Sequence, residues 1–103
     1  MQILRETQGP QTVYRLKDDI IGEVLGEAVI SEFENEIRLH GIFVKPAYRG
    51  KGHGQTLMQT VLSYDETKIT TLCTGLGNIA FFERFGFVVT EAGESLVSME
   101  RRV

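Results

Sequence analysis

The sequence predicts an α/β chain of the α+β kind, a mixed and mostly antiparallel sheet in the order β-β-β-β-α-β-α-β-β, and three observations carry that prediction. Polar and apolar residues alternate over Glu36 to His40, and the strand before it splits into a polar and an apolar face in the same way, the period of half-buried strands. Leu57, Val61 and Tyr64 fall at helical spacing, with Met58 and Leu62 beside them. Between these regions, Val44 to Leu57 ends an apolar strand and opens a helix with glycine at positions 50, 52 and 54.

Taken in order, an N-terminal strand runs to the punctuation at Gly9-Pro10. A ribbon follows, with one strand over Thr12 to Lys17, a turn at Asp18-Asp19 and a second strand over about Ile21 to Phe33. Glu34-Asn35 reads as a tight hairpin turn, after which Glu36 to Val44 forms the central strand. Its alternation puts Glu36, Arg38 and His40 on one face and Ile37 and Leu39 on the other. The neighbouring strand splits the same way, with Glu23 and Glu27 opposite Val24, Ala28 and Ile30. A helix over about Lys51 to Tyr64 comes next, then a strand over Lys68 to Thr74, a short helix from Asn78 to Phe85 and two antiparallel strands, the last over Leu96 to Arg101. This predicts helices on one side of the sheet and a partly open polar surface on the other.

The glycine-rich junction is chemically the most informative segment. The first amides of a helix lack intrahelical partners, and the helix dipole makes that end partly positive, so an anion docks there. Gly50, Gly52 and Gly54 remove the Cβ atoms that would hold a pyrophosphate off the backbone, while Arg49 and Lys51 add charge. Spacing excludes two common phosphate loops. A Walker loop requires lysine before Ser/Thr, and here Gln55-Thr56 follows Gly54. A dinucleotide fingerprint requires Gly-x-Gly-x-x-Gly in a larger parallel sheet, and this loop reads Gly-x-Gly-x-Gly.

The run Ile42-Phe43-Val44-Lys45-Pro46-Ala47-Tyr48-Arg49-Gly50-Lys51-Gly52-His53-Gly54 resembles motif A of the GNAT superfamily, the acetyl-CoA-dependent N-acetyltransferases. Downstream, Leu76 to Phe87 resembles motif B, and is especially similar to the Gly-Asp-Pro-x-Tyr-Tyr-x-Arg-Phe-Gly-Phe variant of YhbS-like members. Within it Asn78 is expected to cap the helix and Gly86 to stop it. The two motifs occur in family order and cover about half the chain. One departure stands out: the family normally inserts two helices after the first strand, and here only Gln8 to Gln11 separates strands one and two. Those helices ordinarily wall the acceptor site.

The resemblance implies roles for individual residues. Ile42, Phe43 and Val44 would lend backbone groups to the pantetheine arm, and Arg49, Gly50, Lys51, Gly52, His53, Gly54 and Gln55 would supply amides to the pyrophosphate of acetyl-CoA. The cofactor would fill a gap between Val44 and about Cys73. Glu36 falls near the position of the general base in histone-acetylating relatives, and His40 lies closer to the expected acetyl group. An imidazole, with an ordinary pKa near ~6.5, suits proton transfer near neutrality. The competing reading for both is a solvated strand residue. Motif B normally presents a tyrosine hydroxyl to the leaving sulfur, and the matching residue here is Phe82, whose ring has no proton to give.

Composition bounds the remaining possibilities. At 103 residues the chain is expected to be one domain spanning 1–103, and 42% apolar and 24% charged residues are ordinary for a soluble globular protein. A net charge of -3 argues against a general nucleic-acid or membrane-surface binder. No apolar run approaches the roughly 18 residues needed to span a bilayer, and no long apolar segment follows Met1 to Glu6 to make a secretion signal, so a cytoplasmic location is expected. The lone Cys73 is expected to be a small buried strand residue, and neither His40 nor His53 has a metal-ligand pattern around it. A homodimer would cover the open face. Two functions remain: N-acetyl transfer to an amine of a small molecule or protein, and a CoA-binding or interaction module with weak or no catalysis. A phosphate or nucleotide binder on another fold survives only if motif B is coincidence.

Overall fold

The computed structural model describes residues 1–102. In it the chain forms strands β1 (Gln2–Gln8), β2 (Gln11–Lys17), β3 (Val24–Glu32), β4 (Glu36–Val44), β5 (Ile69–Gly75), β6 (Val88–Ala92) and β7 (Leu96–Arg101). Helix α1 (His53–Leu62) follows β4, and α2 (Ile79–Glu83) follows β5. One seven-stranded sheet has the order β1-β2-β3-β4-β5-β7-β6. Its single parallel pair is β4 with β5, the pair joined through α1; every other pair is antiparallel. The expected element order and mixed sheet are therefore present. The β1–β2 connection is a tight hairpin in which Gln8 pairs with Gln11, so no helix lies between those strands.

Strand alternation places the core on one face. Tyr14, Leu16, Ala28, Ile30, Ile37, Leu39, Leu72, Val97 and Met99 are buried there against Leu57, Met58 and Val61 of α1 and against Phe82 and Phe87. Both helices thus contribute to the same side of the sheet. The other side carries Arg15, which pairs with Glu6 at 2.9 Å and with Glu27 at 3.5 Å, and the polar residues of β4.

Two bulges alter the simple alternation. In β3, Leu16 pairs with Gly26 but Lys17 with Val24, so Leu25 is the extra residue; it is buried, while Val24, expected to face the core, is half-exposed. In β4, Val29 pairs with Gly41 but Ile30 with Leu39, so His40 is the extra residue. Before His40 the odd-numbered Ile37 and Leu39 face the helices, and beyond it the even-numbered Ile42 and Val44 pack on the same core.

Several boundaries differ from expectation, each for a local reason. β3 begins at Val24 rather than Ile21 because Asp18 Oδ1 accepts the Ile20 and Ile21 amides at 2.8 and 2.9 Å and Gly22 turns with φ 68°. Helix α1 begins at His53 rather than Lys51 because Gly50 and Gly52 are left-handed, at φ 78° and 83°. Helix α2 is shortened at its start by a 3-10 turn over Leu76–Asn78. Asn78 does not cap it; its side-chain amide donates to Thr74 Oγ1 at 3.1 Å. Gly86 does stop α2, at φ 90°, with its N–H on Glu83 O at 3.0 Å and the Phe87 N–H on Phe82 O at 3.3 Å. That is a Schellman closure, and the apolar contact that accompanies such closures is here Phe82 on Phe87, ring centroids 5.7 Å apart.

Candidate functional site

β4 and β5 pair only from Glu36–Ile69 to Leu39–Leu72. At the His40 bulge they part, and a cavity of about 760 Å³ opens between them. Its walls are the ends of β4 (Leu39 to Val44) and β5 (Leu72 to Thr74), the loop and first turn of α1, and Asn78, Phe81, Phe82 and Arg84 of the motif B segment. The cavity brings together His40, Ile42, Phe43, Val44, Arg49, Gly50, Gly52, His53, Gly54 and Gln55.

Glu36 and Lys51 are not among its lining residues. Glu36 sits at the opposite end of β4, where its carboxylate accepts the Thr71 hydroxyl. His40 lies four residues further along the strand, roughly 13 Å of backbone at about 3.3 Å per residue. The Lys51 ammonium lies 5.9 Å from the Tyr48 ring centroid. Arg49 folds back, donating from Nε to Val44 O at 2.8 Å with its guanidinium 5.3 Å from the Phe43 centroid. Its charge is thereby fixed beside the cavity.

Local sequence explains the anion end. Thr56 N–H to Gly52 O, 3.1 Å, is the first helical bond of α1, so the amides of His53, Gly54 and Gln55 have no acceptor inside the helix. No side chain caps this end and no acidic residue occupies its first turn. A Cβ built on Gly50 or Gly52 would meet nothing within 4 Å, so the backbone there borders open space. The glycines of the loop divide in role: Gly50 and Gly52 supply left-handed backbone, whereas Gly54 is helical and its Cβ position lies 3.6 Å from the Phe81 ring.

Glu23, read from the sequence only as a polar-face strand residue, lies just before β3 and anchors this loop. It accepts the Tyr48 hydroxyl at 2.7 Å and the Lys45 ammonium at 3.1 Å. These bonds, Tyr48's first, hold its carboxyl below the usual carboxylate range. Glu32 is lowered likewise by Lys68 and then Tyr64, and Asp65 by the Thr67 hydroxyl and amide. A carboxylate depressed in the folded state adds stability that is complete above its unfolded pKa and is lost as pH falls through the lower folded value. The urea midpoint is therefore expected to hold near pH 6 and to drop below about pH 4, with Glu23→Gln reducing the size of that drop. Equal drops for the variant and the native chain would refute the anchoring role.

Cys73 corrects an expectation. It is exposed and lines the cavity rather than being buried. Leu72 takes the core-facing position, Cys73 pairs with Ser98 on the face away from the helices, and β4 has parted from β5 there, so nothing covers the thiol. Tyr64, expected in the core, packs at its edge and donates its hydroxyl to Glu32 at 2.9 Å. Phe82 stands at the motif B position as expected, only 5% exposed, its ring edge-on to Phe81 at 5.1 Å. Sequence reasoning also missed Ser31, whose Oγ lies 2.6 Å from His40 Nε2; the bulge that joins them leaves no mark in residue types. Among the described residues no group of three His, Cys, Asp or Glu could hold a metal ion, and no helix is long and apolar enough to cross a membrane.

The fold is shared with solved acetyltransferases. An acetyltransferase from Bacillus cereus superposes with a TM-score of 0.82 at 16% identity, over 90% of this chain and 73% of that one. A GNAT family acetyltransferase from Elizabethkingia anophelis, with acetyl-CoA bound, gives 0.79 at 16% identity, over 91% and 77%. The PaiA N-acetyltransferase from Thermoplasma acidophilum, in complex with coenzyme A, gives 0.77 at 20% identity, over 91% and 62%. At these identities the likeness is one of fold. No curated protein is detectably similar to the chain. The family profile described as an acetyltransferase (GNAT) domain matches residues 9–89, and the chain belongs to that family, whose chemistry is acyl transfer.

Proposed function

We propose that the chain transfers the acetyl group of acetyl-CoA directly to an amine of a small molecule or a protein. The observation that carries this reading is one continuous cavity that joins the uncapped amides of α1 to the bulged His40. The chain fits the cofactor at both ends. Left-handed Gly50 and Gly52 with the amides of His53, Gly54 and Gln55 suit a pyrophosphate, and the edge of β4 that β5 leaves unpaired beyond Leu39 suits the amides of a pantetheine arm. Acetyl-CoA supplies the thioester that an amine attacks and the thiolate that leaves.

The chain's own contribution is alignment and proton handling. Holding two reactants in line is worth roughly 7 to 11 kcal/mol of barrier, so modest acid and base assistance suffices. His40 is the cavity-lining group suited to take the amine's proton. Glu36, tied to Thr71 and remote from the cavity, would act only through water. A second reading, a CoA-binding module with weak or no catalysis, is favoured by Phe82, which offers no hydroxyl to a departing thiolate.

Cys73 provides a clean probe because it is the only cysteine. Saturating acetyl-CoA is expected to raise the melting temperature and to slow alkylation of Cys73 by about 10-fold. Release of CoA thiol followed across polyamines, aminoglycosides, amino acids and lysine peptides then separates the readings. Binding without release for any acceptor favours the binding module; neither a thermal shift nor protection removes both readings.

A further inference from the structure

Ser31 lies on β3 and is 8% exposed. A hydroxyl buried to that degree requires a hydrogen-bond partner. Among the described residues its side chain has one, His40 Nε2 at 2.6 Å. His40 in turn is the extra residue of the β4 bulge, and bulges re-aim the side chain they carry. The contact ties the imidazole to the sheet at the point where β4 and β5 part and the cavity begins.

With Nε2 engaged, Nδ1 is the ring nitrogen with no partner among the described residues. Two arrangements satisfy the contact. If Ser31 donates, Nε2 is the bare nitrogen and its lone pair is spent on a buried hydroxyl, so the neutral ring offers no base to the cavity. If Nε2–H donates to Ser31 Oγ, Nδ1 is bare and can accept a proton. In the second arrangement the same bond persists when the ring becomes imidazolium, so proton uptake requires no reversal of the serine hydroxyl.

We propose that Ser31 is a positioning residue for His40, its Oγ accepting a hydrogen bond from Nε2–H and so favouring the tautomer in which Nδ1 serves as the base. The inference rests on the acetyl-transfer reading above and gives that site its proton-bearing atom. On transfer, the N–C bond forms as the thioester C–S bond breaks and the thiolate departs; Nδ1 takes the proton lost by the acceptor nitrogen while Nε2–H keeps its hydrogen bond to Ser31 Oγ, and the imidazolium then returns its proton to the thiolate or to solvent. No oxidant or further reactant is needed.

The test uses the two histidines of the chain, His40 and His53, which give only two imidazole systems in a long-range nitrogen–proton NMR spectrum of the uniformly labelled protein. A His40→Asn variant assigns them. The neutral ring of His40 is expected to show a protonated Nε2 and a bare Nδ1. Ser31→Ala is expected to convert this to a mixture of tautomers and to lower kcat by about 10-fold with the KM for acetyl-CoA unchanged, and Ser31→Thr, which keeps the hydroxyl, is expected to restore both. Melting curves check that each variant folds. If the spectrum responds as stated but no amine is turned over, the assignment of the proton stands and the acetyl-transfer reading falls. If transfer proceeds and Ser31→Ala changes neither the ring spectrum nor kcat, or if the native ring carries its proton on Nδ1, the positioning role is overturned.

Discussion

Acetyl-CoA is expected to bind a Gly52→Val variant at least about 100-fold more weakly than the native chain, with most of the fold retained. The reason is conformational. Gly52 sits at φ 83°, in the left-handed region, where an ordinary side chain costs roughly 1–2 kcal/mol and a β-branched one more. The added atoms meet no protein neighbour within 4 Å, so relief comes from turning the loop rather than from disturbing the core. Turning it redirects the amides at the start of α1. Hydrogen bonds to a charged group contribute about 1.5–3 kcal/mol each, so loss of two is sufficient for the stated change in affinity. Gly54→Ala is the control, because Gly54 is helical and its Cβ would make an ordinary 3.6 Å contact with Phe81. Titration calorimetry decides the matter: a Gly52→Val affinity within threefold of native would show that this loop does not hold the pyrophosphate.

Gly26→Ala is expected to destabilise the fold by about 3 kcal/mol, a large share of the roughly 5–15 kcal/mol typical of a domain. Gly26 lies in β3 opposite Val44, and a Cβ on it would stand 2.6 Å from Phe43 O and 3.2 Å from Val44 Cα. The Leu57 methyl at 3.3 Å can move aside, but the two backbone atoms belong to a strand held on its β3 side and cannot. The displaced residues are the same ones that wall the cavity, so the variant should lose acetyl-CoA affinity along with stability. Gly41→Ala provides the contrast, since its Cβ would meet nothing within 4 Å and its φ is not positive. Urea midpoints at unchanged m-value measure both. Equal stability of the two variants would refute the close-approach argument.

Much of this arrangement was legible in the residues because it rests on local chemistry. Alternation fixed which side of β4 Ile37 and Leu39 face, and both are buried. The glycine spacing marked the turn into α1, and the stop at Gly86 followed from the absence of a Cβ there. What escaped depends on contacts between distant segments. Cys73 sits in an apolar run, yet its exposure is decided by where β4 leaves β5, a matter of pairing rather than composition. Glu23 gained its role as an anchor only when the fold brought it to Lys45 and Tyr48. Asn78 had the right residue type for a helix cap, but the 3-10 turn before α2 carried its amide back to Thr74. The Phe82 ring illustrates a double demand: the position that motif B uses for a hydroxyl is also the apolar partner of Phe87 in the helix closure, and the second role alone accounts for a buried phenyl group.

The extra residue at His40 behaves like a dislocation in a layered solid. A row with one residue too many is hard to keep in step with both of its neighbours, and here β4 resumes its pairing with β3 beyond the extra residue while its pairing with β5 ends there. A void between hydrogen-bonded strands thus exists without any missing segment or oversized side chain to create it. Its location coincides with the extra residue, so inserting or removing a residue in β4 is expected to move it, whereas exchanging one apolar side chain for another is not. A defect of this kind lets the lining of a binding cleft vary in sequence while the cleft itself stays in place.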